Sequence, residues 1–190
     1  MKITRTLGVV VGLATAASLS LAGLAQAKPL EKGTFHDEGT FVEANFCEVP
    51  GLTVQGDFVV DGRFLLNPHG PDGLAYGMEH LRISVVFTNV ANGKFVTLEQ
   101  NPMGKDLKVT DNGDGTLTLL VLATGNEATF GMDGKAIARN PGQIRFELLI
   151  DHNGTPTDPF DDEFLAELGL VKGSTGRNDD FCEAAVPALS

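Results

Sequence analysis

The side chains best suited to proton transfer or metal ligation near neutral pH are His36, His69, His80 and His152. No two of them stand at the i, i+2 or i, i+4 spacing of a metal pair, and none joins a cysteine cluster. His36 precedes Asp37 and Glu38, and Glu79 precedes His80. Neighbours on a strand point to opposite faces, so these are poor dyads, and exposed positions are expected for the histidines. Ser84 and Ser174 lack a Gly-x-Ser-x-Gly setting. Phosphate-cradle and dinucleotide fingerprints are absent as well. No catalytic residue is assigned, and the balance leans away from an enzyme.

Two oxygen-rich stretches invite a calcium reading. Asp111 to Thr116 fails it, because positions 3 and 5 counted from Asp111 are glycines. A tight turn is expected there. Asp151, Asn153 and Thr155 supply oxygens at positions 1, 3 and 5, with Asp158, Asp161 and Asp162 beyond. Asp151, Asn153 and Asp158 are therefore the candidate ligands for a hard cation such as Ca²⁺. The plain alternative is a connecting loop whose acids cap a helix. Asn153-Gly154-Thr155 also matches a glycosylation acceptor.

Polar residues at alternate positions offer the other candidate site. His80, Arg82 and Ser84 oppose Leu81, Ile83, Val85 and Phe87, while Gln143, Arg145 and Glu147 oppose Ile144, Phe146, Leu148 and Ile150. Pointing into a barrel, His80, Arg82, Arg145 and Glu147 would line a lumen that orients a small ligand. Pointing outward, they form a solvated exterior, the commoner arrangement for antiparallel sheets.

The elements that must carry these residues read as strands. From Gly33 onward the pattern is period-two with glycine punctuation. A first strand covers Thr34 to Phe46, with Gly39 a candidate break. Leu52 to Val60 and Arg63 to Leu66 flank Asp61-Gly62, a hairpin dipeptide. Turns are expected at Ala91 to Lys94, Asp111 to Gly115 and Asp133-Gly134. Leu119 to Leu122 is apolar on both faces, so cover is expected on each side. Asp158, Pro159 and the stripe Phe160, Phe164 and Leu168 predict a helix ending at Gly169. The expected fold is all-β: an antiparallel barrel or sandwich of about eight strands with one short C-terminal amphipathic helix. The 12 phenylalanines are expected mainly in its core, and the lack of Trp argues against a polysaccharide platform.

Lys2 and Arg5, the apolar run Leu7 to Leu24 and the exit Ala25-Gln26-Ala27 read as a secretory signal peptide over 1–27. Residues 28–190 then form one domain, secreted and extracellular. That segment keeps 12 basic and 25 acidic residues, a net charge of −13 against −11 for the whole chain. Such a surface repels nucleic acid and anionic membranes, so neither is expected as a partner. The sequence assigns no oligomeric state. Cys47 and Cys182, the two cysteines of an exported chain, are expected to form one disulfide.

Several segments taken together resemble an uncharacterised family of secreted actinobacterial proteins. They are Phe35-His36-Asp37-Glu38, Val60-Asp61-Gly62-Arg63-Phe64, Gly70-Pro71-Asp72-Gly73-Leu74-Ala75-Tyr76, Thr88-Asn89-Val90-Ala91-Asn92-Gly93-Lys94, Asn140-Pro141-Gly142-Gln143 and Ser174-Thr175-Gly176-Arg177-Asn178-Asp179-Asp180-Phe181-Cys182. The resemblance implies export and an actinobacterial source, and it carries over no catalytic residue. The outline is also similar to calycin and allene-oxide-cyclase-like barrels, an analogy of fold only. The function expected is a non-catalytic β-barrel that binds a small, partly apolar ligand. The alternatives are a barrel-type cyclase or isomerase using His80 or Glu147, and a structural protein of the cell envelope.

Overall fold

The structure, a computed structural model, describes residues 29–190; the segment read as a signal peptide lies outside the described residues. Ten strands make one antiparallel sheet: β1 (Glu31–Ala44), β2 (Thr53–His69), β3 (Leu74–Asn89), β4 (Phe95–Gln100), β5 (Met103–Asp111), β6 (Thr116–Gly125), β7 (Glu127–Phe130), β8 (Ala136–Arg139), β9 (Gly142–Asp151) and β10 (Glu163–Lys172). A 3₁₀ turn at Phe46–Glu48 and the helix α1 (Phe181–Leu189) complete it. The sheet is not closed, since β1 pairs only with β2 and β10 only with β9.

The connectivity is a simple meander once collinear strands are joined. β4 and β5 run in succession along one side of β3, broken at Asn101-Pro102, where the Leu81 N–H donates to the Pro102 carbonyl at 2.9 Å. β6 and β7 break at Asn126, and β8 and β9 at Asn140-Pro141. The breaks are aligned: the Asn101 N–H donates to the Asn126 carbonyl at 2.9 Å, and the Asn140 N–H to the Glu127 carbonyl at 2.9 Å. Proline has no N–H to give the ladder, so Pro102 and Pro141 mark the crease.

On one side of it, Val54, Val85, Phe87 and Val96 are buried beneath α1 with Phe46, Ala185 and Leu189. On the other, Val109, Leu117 and Ile150 form a smaller cluster. The Asp180 side chain caps α1 by accepting from the Glu183 N–H at 2.9 Å. At its far end, the Asn89 and Asn92 amides both donate to the Leu189 carbonyl at 2.9 Å, and Lys94 reaches Ser190. The disulfide Cys47–Cys182, with Cα atoms 5.6 Å apart, fastens the first turn of α1 to the 3₁₀ turn.

Several expectations change. Asp61-Gly62 is not a turn: β2 runs unbroken through it, and β1 is likewise unbroken at Gly39. The segment from Asp158 is not a helix. Asp158 does accept from the Phe160 N–H at 3.1 Å, but β10 follows. Its register against β9 shifts between Phe164 and Ala166, Glu167 and Gly169, and Leu170 and Lys172. Each bulge inserts one residue, so Phe164, Glu167 and Leu170 oppose Ile150, Leu148 and Phe146 in turn. The stripe Phe160, Phe164 and Leu168 is no helix face: Phe160 precedes β10, Phe164 pairs with Ile150, and Leu168 is skipped by the register between Glu167 and Gly169. The helix is α1, and it covers β4, β7 and β8 rather than β6. Beyond Leu117, β6 is half-buried on both faces. Among the phenylalanines only Phe46 and Phe87 are buried, while Phe35, Phe41, Phe160 and Phe164 are exposed.

Candidate functional site

The β1–β2 hairpin is registered by a ladder of rings on glycines. Gly33, Phe35, Gly39 and Phe41 face Phe64, Gly62, Phe58 and Gly56 directly. A Cβ on Gly56 would sit 2.3 Å from Phe41 Cζ, and one on Gly62 2.1 Å from Phe35 Cζ. At Gly33 and Gly39 the clash with Phe64 and Phe58 would be 2.8 and 2.9 Å. Both strands carry the same Gly-x-Phe-x-x-x-Gly-x-Phe spacing, from Gly33 to Phe41 and from Gly56 to Phe64. Those glycines accommodate rings, which is why Gly62 makes no turn.

Because strand residues alternate, fixing the rings on one face commits the intervening residues to the other. Pairing through β2, β3 and β5 sets Lys32, Leu65, Met78 and Lys105 in one row. Thr34, Arg63, His80 and Met103 form the next, and His36, Asp61 and Arg82 the third. Two adjoining hollows of about 620 and 550 Å³ lie over these rows and share Thr34, Arg63 and His80. The larger is floored by Leu65, Met78 and Met103. The smaller is edged by His36, Asp61 and Arg82.

His36 Nδ1 lies 2.8 Å from Asp61 Oδ1, and its Nε2 lies 3.6 Å from Glu38. The hydrogen bond to Asp61, aided by the nearby Glu38 charge, raises the His36 pKa above its ordinary value. Among the described residues, neither Arg63 nor Arg82 has an ion-pair partner within 4.0 Å. Two guanidinium groups free to receive an anion therefore adjoin an apolar floor, on a chain of net charge −11. The His36–Asp61 pair has the form of a base held by an orienting acid. Its side chains are 55% and 62% exposed, so water reaches both. The arrangement suits binding better than chemistry that needs a dry site.

No family is matched. The chain finds no counterpart among protein-family models, curated proteins or solved structures.

His80 and Arg82, singled out from sequence, both border the hollows. Arg145 and Glu147 share their face of the sheet but sit on β9, separated by β5 and β6, roughly 14 Å away at ordinary strand spacing. Buried Arg145 Nε has no partner. Asp61 and Arg63 were not singled out, and His36 was weighed only with Asp37 and Glu38; the repeated Gly-x-Phe spacing is the sequence feature that reveals their register. In the Asp151 loop, Asp151 accepts from the Asn153 N–H at 2.8 Å, and Asn153 itself donates to the Asp161 carbonyl. Asp158 is occupied with Phe160. Among the described residues, no three His, Cys, Asp or Glu side chains are grouped to hold a metal ion. His152 departs from the exposed position expected of it, being buried at 7% exposure beside that loop.

A further cleft of about 380 Å³ lies at the crease, bordered by Gln100, Asn126, Glu127, Asn140, Gln143 and Ser174. It is amide-rich and has one carboxylate, without the joined apolar and cationic surfaces of the β1–β3 face.

Proposed function

We propose that this is a secreted, non-catalytic binding protein whose β1–β2–β3 face takes a small, partly apolar molecule bearing an anionic group. The observation that carries the reading is the abutment of Arg63 and Arg82, unpaired, on a floor of Leu65, Met78 and Met103. Apolar contact would supply affinity, and the guanidinium groups would fix orientation. His36 adds a positive charge below its raised pKa, so binding should weaken as pH rises through that value. Export is supported by the amino-terminal pattern and by a cystine, which persists in oxidising compartments. No helix among the described residues is long and apolar enough to cross a membrane.

Calorimetry with 1-naphthoate and its uncharged amide tests this. The acid should bind about tenfold tighter than the amide, the difference expected from one charge-assisted hydrogen bond. Arg63→Gln with Arg82→Gln should abolish that preference while sparing the amide. Equal affinities for acid and amide, or an acid preference untouched by the double substitution, would refute the proposal. Native mass spectrometry of protein from its own host should show a bound small acid.

A further inference from the structure

The sheet has three outer margins, and two are guarded. Along β8, the Arg139 N–H donates to Asp179 Oδ2 at 2.9 Å and the Asp179 N–H returns a bond to the Arg139 carbonyl at 3.2 Å. The segment leading into α1 thus covers that margin. β1 carries Glu31, Lys32, His36, Asp37, Glu38 and Glu43, the charged dressing with which proteins blunt a free edge. β10 is different. Phe164, Leu165, Leu168, Leu170 and Val171 are 46–61% exposed, and Phe160 beside them is 65% exposed. Its charges are Glu163, Glu167 and Lys172.

We infer that β10 seats a second copy of this chain about a two-fold axis. Area, charge and closure support this occupant. Taking the exposed fractions of these six side chains on roughly 150–200 Å² each gives up to about 600 Å² per copy, or up to about 1,200 Å² in all, which reaches the low end of specific interfaces. Two β10 strands set antiparallel about an axis between Glu167 and Leu168 bring Glu163 of each copy beside Lys172 of the other. Glu167 then faces Leu168, and no like charges meet. A parallel arrangement would oppose each glutamate to its own counterpart. The three bulges interrupt the row of backbone groups on this margin, so the contact is made by side chains rather than by an added strand. An isologous contact is complete with two copies and does not propagate into a fibre.

Sedimentation of residues 28–190, from 1 to 200 µM, tests the inference. A monomer–dimer equilibrium is expected. Leu168→Glu should give a monomer with an unchanged circular dichroism spectrum. Glu163→Lys and Lys172→Glu should each weaken the dimer about tenfold, and together restore it, which no folding defect would do. A monomer throughout the range, a dimer indifferent to Leu168→Glu, or a failure of the paired reversal would overturn the proposal. So would a monomer that instead adsorbs to phosphatidylcholine vesicles through β10.

Discussion

Replacing Gly56 with alanine tests the logic that sets the register of the β1–β2 hairpin. Alanine in a strand would ordinarily add about 0.5–1 kcal/mol over glycine through reduced chain entropy. Here the new Cβ would lie 2.3 Å from Phe41 Cζ and 2.6 Å from Cε1, against an ordinary carbon contact of about 3.5–4 Å. The Phe41 ring must therefore move by more than about 1 Å. It is not free to do so: its centroid lies 6.1 Å from that of Phe87 in an edge-on contact and 6.4 Å from that of Phe58. Overpacking of this kind costs about 1–3 kcal/mol, and each disturbed aromatic pair about 0.5–1.5 kcal/mol of that. We expect Gly56→Ala to lose about 1–2 kcal/mol net. Gly62→Ala creates a contact of 2.1 Å, yet Phe35 has no aromatic neighbour among the described residues. Its ring can swing outward, so the loss there should stay within about 0.5 kcal/mol. Urea unfolding with the disulfide intact reads both as midpoint shifts at constant slope. In the Gly56→Ala background, Phe41→Leu should recover part of the loss. The reasoning fails if Gly56→Ala is neutral, or if Gly62→Ala costs as much.

Thr129 Oγ1 is buried without a partner, so Thr129→Val should stabilise by about 1 kcal/mol, visible as a higher melting temperature. An unchanged or lower melting point would place a hydrogen-bond partner at that oxygen. Cys47→Ala with Cys182→Ala opens a loop of sequence separation 135, worth up to about 5 kcal/mol in chain entropy, and should lower the urea midpoint sharply. Burial raises the Asp106 pKa, and the Gly77 N–H, 2.6 Å from Oδ2, only partly offsets it. An acid raised in the folded state holds its proton more tightly there than in the unfolded chain. Stability is therefore lost as pH rises from the ordinary aspartate value through the raised one. Asp106→Asn should accordingly gain on the parent protein between pH 3 and pH 7, and a difference that shrinks would contradict this.

Three hairpin turns were legible where glycine served the backbone, while the β2–β3 turn at Gly70 and Gly73, both of positive φ, was not read. Gly93, Gly113 and Gly134 all adopt positive φ, and turns occur where Ala91 to Lys94, Asp111 to Gly115 and Asp133-Gly134 place them. Gly39 and Gly62 misled because they serve a neighbour's ring, a long-range cause that no local window contains. β10 misled in another way: its bulges break strict alternation, so Phe164, Leu165, Leu168, Leu170 and Val171 show no period of two. The true helix was hidden by its length and by Pro187, although Asp180 with Glu183 is a capping pattern. For the site, alternation alone places His80 and Arg82 on one face. Bringing Arg63 and Asp61 beside them requires register, and Arg145 shows that sharing a face does not mean proximity.

The cystine also governs how this chain survives damage. Each loop joining β2 through β10 lies between Cys47 and Cys182. A protease that severs any one of them leaves both fragments covalently held. The nicked molecule would remain a single species on a non-reducing gel and separate into two bands only after thiol treatment.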